Sequence, residues 1–160
     1  MRRAAEILLW AAAASVLMCA AQPSAETTIR LKVPKQVATQ QAARAAGDAR
    51  APSPVLMLED VEVGAGEGLT IQVLGPAGPG ASRARPVLGT AATVGPPQTA
   101  PKPPVRHMTL AVPLNEEGSR LLAGKSEVTL VLQVEGSPGR QLKFKRAYFD
   151  TGGADQPPQR

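Results

Sequence analysis

The sequence predicts an all-β protein: one antiparallel β-sandwich of about seven short strands, with long Pro/Gly-rich loops and one short helical turn. Three observations carry this. Short runs rich in valine, isoleucine and leucine alternate with polar residues at a period of two, the repeat of a half-buried strand. The 15 glycines and 16 prolines are bunched between those runs, where proline's missing amide proton excludes both helix interior and central strand. Only one segment carries helix signals.

The elements follow in order. Ile29, Leu31 and Val33 alternate with Arg30 and Lys32 in a first strand. Residues 34–54 (PKQVATQQAARAAGDARAPSP) are polar and alanine-rich with a proline at each end, and read as a mobile linker. Together these make a section of strand and linker over residues 26–54, ahead of a sandwich core over 55–150. Residues 55–63 (VLMLEDVEV) form a strand interrupted by Glu59, Asp60 and Glu62. Strict alternation places Asp60 and Glu62 on one face and Glu59 on the other. Leu69, Ile71 and Val73 mark the next strand. Residues 87–94 (VLGTAATV) are weaker, and Gly89 signals a bulge or a close backbone approach.

Met108, Leu110 and Val112 alternate again. Residues 115–123 (NEEGSRLLA) invite one or two helical turns. Asn115 is the cap, and Glu116 and Glu117 sit at the positive end of the helix dipole. Gly124 stops the turn. Val128, Leu130, Leu132 and Val134 give the clearest strand. The last strand, residues 142–149 (LKFKRAYF), sets Leu142 and Phe144 against Lys143 and Lys145. Residues 75–86 and 95–104 are surface loops, and residues 151–160 a disordered tail.

The N-terminal 25 residues have the layout of a secretory signal peptide. Arg2 and Arg3 precede an uncharged run over residues 7–18 (ILLWAAAASVLM), followed by small residues at Ala20, Ala21 and Ala25. The run is too short to span a bilayer comfortably, so export without a stable membrane anchor is expected. Cleavage after Ala21 or Ala25 would remove the only cysteine, Cys19, leaving no internal disulfide. Lipid attachment at Cys19 is disfavoured because Met18, a large residue, precedes it. Loss of Arg2, Arg3 and Glu6 would lower the net charge from +5 to +4. That modest charge, with few aromatic side chains, argues against nucleic-acid binding, which needs clustered cations and stacking platforms.

The order of strands and loops resembles the small C-terminal β-sandwich domain that follows the copper domain in plant polyphenol oxidases and related bacterial tyrosinase-like proteins. The resemblance runs over residues 27–150. Its pieces are the strand closing on Leu31-Lys32-Val33-Pro34, residues 55–61, residues 69–73, residues 87–90 with Gly95, and the runs 114–122, 128–132 and 142–149. The plant domain's Lys-Phe-Asp-Val motif has no counterpart at residues 69–73. What the resemblance implies is an accessory role: in that family the domain packs on the copper domain and performs no chemistry. The family's copper ligands are histidines on a helical bundle, whereas this chain has one histidine, His107.

The residues themselves also point away from catalysis. His107 opens a strand after a proline-rich loop, with no nucleophile in a glycine elbow to serve. It reads as an exposed strand-end residue. Met57 and Met108 read as core fillers. Glu59, Asp60 and Glu62 lack the aromatic-lined cleft that paired catalytic carboxylates use on sugars, and lack the ligand spacing of a calcium loop. No cofactor or metal is expected.

Lys143, Lys145 and Arg146 form a small basic patch. It either pairs with Glu59 or Glu62, faces an acidic partner, or guards an edge strand. Tyr148 and Phe149 shift the alternation by one and are expected to plug the core, with partner contact as their other use. The expected function is an exported, non-catalytic interaction domain serving a tyrosinase-like copper protein. The alternative is a stand-alone binding module for an envelope polymer or small ligand. A partner domain should expose an apolar patch, and a polymer module a polar groove.

Overall fold

In a computed structural model, described over residues 25–48, 50–64, 66–77, 85–95, 97, 105–135 and 141–150, the described residues form seven strands and two helices. They run β1 (Glu26–Lys32), α1 (Lys35–Ala45), β2 (Val55–Val63), β3 (Gly68–Leu74), β4 (Val87–Val94), β5 (Arg106–Pro113), α2 (Glu116–Leu122), β6 (Glu127–Glu135) and β7 (Arg146–Asp150). The expected signal peptide, up to residue 24, and the expected tail, 151–160, lie outside the described residues.

The strands form two sheets, one of order β1-β6-β3-β4 and one of order β5-β2-β7, with every pairing antiparallel. The predicted all-β class is therefore the observed one. Inward side chains come from alternate positions of both sheets: Leu69, Ile71 and Val73; Val128, Leu130, Leu132 and Val134; Leu56, Leu58, Leu110, Val112 and Phe149. They join in a single hydrophobic cluster. At about 25 cal/mol per Å² of apolar surface, this shared burial is the main force holding the sheets face to face.

One corner is closed. The extra residue Leu88 shifts the β3–β4 register, and Gly89 bridges to Leu114 just beyond β5. A Cβ at Gly89 would lie 2.5 Å from the Pro113 carbonyl oxygen and 3.2 Å from Val112 Cγ1. The bulge and the close approach predicted at Gly89 are thus both present. Asn115 reinforces the corner, as its backbone N–H donates to Leu88 O at 2.7 Å and its side-chain amide to Val87 O at 2.8 Å.

The linker expected over residues 34–54 is corrected, because α1 occupies its first half. Alanine and unbranched lysine, glutamine and arginine have high intrinsic helix propensity, but they leave no apolar stripe. Only Val37, buried at 1% exposure, and the partly buried Ala38 reach the core from this helix. Gln41 is equally buried; its Nε2 donates to Pro52 O at 3.1 Å. Arg44 Nη1 donates to Ala51 O at 2.6 Å. Those two bonds tie the return segment to the helix, while the pairing of β1 with β6 and the burial of Val37 in the core put β1 and α1 in the same packed body as the later strands.

Helix α2 stands where it was predicted. The Asn115 side chain accepts from Gly118 N at 3.0 Å, and Gly124, at φ +66°, ends it. The Gly124 N–H donates to Ala38 O at 3.3 Å, joining the two helices. The described residues therefore carry two helices rather than one helical turn. Among the described residues, no helix is long and apolar enough to cross a membrane.

Candidate interaction face

Glu59, Asp60, Glu62, His107, Arg146 and Tyr148, all singled out by sequence, converge on the outer face of the three-stranded sheet, and a bulge in its central strand arranges them. In β2, Leu56 and Leu58 point inward, and so do Val61 and Val63. The parity changes because the register slips between Leu58 and Val61. Asp60, the only described non-glycine residue with positive φ, at +60°, lies within that slip. Aspartate tolerates the left-handed region better than most residues because its short side chain finds local polar partners. The expected grouping of Asp60 and Glu62 opposite Glu59 is therefore corrected. Glu59 and Glu62 both lie on the outer face, and exposed Asp60 belongs to the bulge between them.

Each of these acids has a neighbour. His107 Nδ1 lies 2.9 Å from Asp60 Oδ1, with both side chains about half exposed. Cross-strand register explains the meeting, since His107 pairs with Glu62 across the bulge. Lys143 Nζ lies 3.3 Å from Glu62 Oε2. Glu59 acts on the Tyr148 hydroxyl as hydrogen-bond acceptor; that bond first, then desolvation and the Glu59 charge, raises the phenol pKa above its ordinary value of 10.0. The Arg146 guanidinium stands 5.1 Å from the centroid of the Tyr148 ring, a cation–π contact, and pulls that pKa the other way.

The C-terminal basic patch is positioned by backbone bonds to either side of the bulge. The Glu62 N–H donates to Lys143 O at 3.1 Å, and the Lys145 N–H to Glu59 O at 3.0 Å. The strand predicted over 142–149 is shorter, Arg146–Asp150, because the ladder is irregular opposite the bulge. Leu142 still reaches the core and Phe144 packs partly against it. Of the two aromatics expected to plug the core, Phe149 does so, at 3% exposure. Tyr148 does not. Its partner Met57 is on the outer face, so Tyr148 is too.

Met57 is likewise corrected from core filler to half-buried surface residue, whereas Met108 packs against the core and takes a 3.4 Å contact from Thr93 Oγ1. The same register reveals an apolar patch that sequence reading missed. Ala111, Met57 and Tyr148 form one row across β5, β2 and β7, and Pro113 and Val55 lie in the next, beside Asp150. Ala111 and Pro113 are exposed; Val55, Met57 and Tyr148 are half-buried. The face is thus apolar toward the helical end of the sheet and charged around the bulge.

A shallow cleft of about 390 Å³ lies beside the bulge, lined by Glu59, Asp60, His107, Met108, Thr109 and Lys145. Among the described residues, no three His, Cys, Asp or Glu side chains are grouped to hold a metal ion. The arrangement offers hydrogen bonds, the exposed cations Lys143, Lys145 and Arg146, and an apolar platform, which are means of recognition. No protein-family model matches the chain, and a search of curated proteins found no match either.

Proposed function

We propose that this chain is an exported, non-catalytic interaction domain that docks on a partner through the outer face of β5, β2 and β7. The observation that carries the reading is that face itself: the apolar rows Ala111–Met57–Tyr148 and Pro113–Val55 bordered by a charged band. Half-buried apolar side chains beside polar ones are the anatomy of a docking surface. Tyr148 under Arg146 is the kind of aromatic–arginine pair on which binding energy concentrates.

The strand-order resemblance supports a tyrosinase-like copper enzyme as the partner, with this chain as subunit, shield or maturation factor. The layout of residues 1–25 supports export. The acids Glu59, Asp60 and Glu62 serve to hold the face in shape, each neighboured by a group that stabilises its charge or donates a hydrogen bond to it. The test is affinity capture from the exported fraction with the wild-type chain and a Met57→Glu variant, followed by mass spectrometry and a diphenol oxidase assay. The expected result is a copper enzyme recovered by the wild type and lost by the variant. Wall material alone on the wild-type resin would overturn the copper-enzyme reading.

A further inference from the structure

We infer that the segment received by this face is acidic, with an apolar side chain between its carboxylates; this rests on the docking face proposed above. The inference comes from which charges are already answered. Asp60 has His107 at 2.9 Å and Glu62 has Lys143 at 3.3 Å, while Glu59 is engaged with the Tyr148 hydroxyl. Lys145 and Arg146 have no carboxylate within 4.0 Å among the described residues. Both are exposed. Asp60 and Glu62 thus stand beside a cationic or imidazole partner and Glu59 beside a hydrogen-bond donor, whereas Lys145 and Arg146 are exposed cations of the face without an ion-pair partner among the described residues.

Geometry narrows the ligand further. Arg146 is the cross-strand neighbour of Glu59, yet its guanidinium lies over the Tyr148 ring. Stacking on an aromatic face restricts the long side chain and leaves its planar fork open to a carboxylate. Tyr148 continues directly into Met57 and Ala111, so an apolar side chain beside that carboxylate would cover this row. Strand β7 lies at an edge of its sheet, so a segment can approach Lys145 and Arg146 from the side. The fit is to an acidic stretch of a polypeptide partner, in which carboxylates meet the two cations and an apolar residue meets Met57 and Tyr148.

The test titrates the isotope-labelled exported chain with an acetylated Asp-Leu-Glu-Tyr-Asp-Leu peptide and with its counterpart carrying lysine at each acidic position. The expected result is that the acidic peptide shifts the amide resonances of Met57, Ala111 and Tyr148, more weakly as salt rises, and that the basic peptide does not. The double variant Lys145→Glu/Arg146→Glu should weaken binding at least tenfold. Lys125→Glu, at the helical end, should leave it unchanged. A Lys145→Gln/Arg146→Gln variant with wild-type melting keeps loss of binding distinct from loss of fold.

Equal binding of the two peptides, shifts confined to another surface, or unchanged affinity after charge reversal would each overturn the inference. So would a dimer of the chain, closed through this face, that survives the charge reversal, because a second copy would then be the occupant. If Met57→Glu abolishes copper-enzyme capture while the charge reversal does not, the docking face stands and only the acidic segment falls.

Discussion

At the scale of single residues, the decisive positions are those where a side chain and its backbone conformation serve different ends. Asp60 adds one residue to β2, and the alternation beyond it inverts. Val61 and Val63 then fill the core as Leu56 and Leu58 do, and Glu62 turns outward toward Lys143. Without the bulge, strict alternation from Leu58 would bury Asp60 and Glu62, at a desolvation cost of several kcal/mol by the general rule for buried charges. Tyr148 shows the second kind of coupling. Glu59 and partial burial favour its neutral form, so the folded chain holds the phenol proton more tightly than the unfolded chain does. The resulting stability is fully present below the unfolded value of about 10 and is lost as pH rises through the folded pKa. An alkaline series of urea midpoints should fall more steeply above about pH 10 for wild type than for Tyr148→Phe. Parallel curves would remove this role from Tyr148.

At the scale of elements, the two helices show what local signals can and cannot reveal. The sequence announces α2 through its cap: Asn115 accepts from Gly118 N and also donates to Val87 O across the corner. Replacing it with alanine removes both bonds, and Asn115→Ala should cost about 0.5–2 kcal/mol, the range for a lost N-cap. Chemical denaturation of the variant measures this directly. Helix α1 had no such announcement. Pro34 occupies its cap position without a side-chain hydrogen bond, and no acidic residue lies in its first turn. Its stability comes from alanine-rich propensity, from Val37 in the core, and from the Gln41 and Arg44 bonds to residues 51 and 52. Periodicity finds helices by their apolar stripe, and a helix that buries one valine and one glutamine shows almost none.

At the scale of the whole molecule, the fold depends on two sheets meeting closely at one corner. Gly89 permits it, because any side chain there would press on the backbone oxygen of Pro113 and on Val112 and Leu114. Gly89→Ala should therefore lower stability by about 1–3 kcal/mol, the usual cost of overpacking a core. The urea midpoint should fall with little change in slope, since the surface exposed on unfolding stays the same. A midpoint equal to wild type would show that the corner has slack. The outer face of the four-stranded sheet carries a further consequence of packing. Leu74 and Val131 are buried yet stand apart from the central cluster. The Gly75 N–H donates to Pro86 O at 2.9 Å, and Arg85 is held by Glu26 at 2.6 Å, bringing the segment before β4 across to β1.

By itself the sequence determined the β class, six of the seven strands to within a few residues, the capped α2 and the close approach at Gly89. Each rests on a local rule: period-two alternation, a capping side chain, or a residue without a Cβ. The tertiary structure alone decided that residues 35–45 fold into a helix on the core, that the β2 bulge inverts strand parity, and that Met57 and Tyr148 face outward. It alone brought His107, Asp60, Glu62, Lys143 and Arg146 to one face, from three segments far apart in the chain. The physical reason is that burial and cross-strand register are set by what packs opposite, and no local pattern contains that partner.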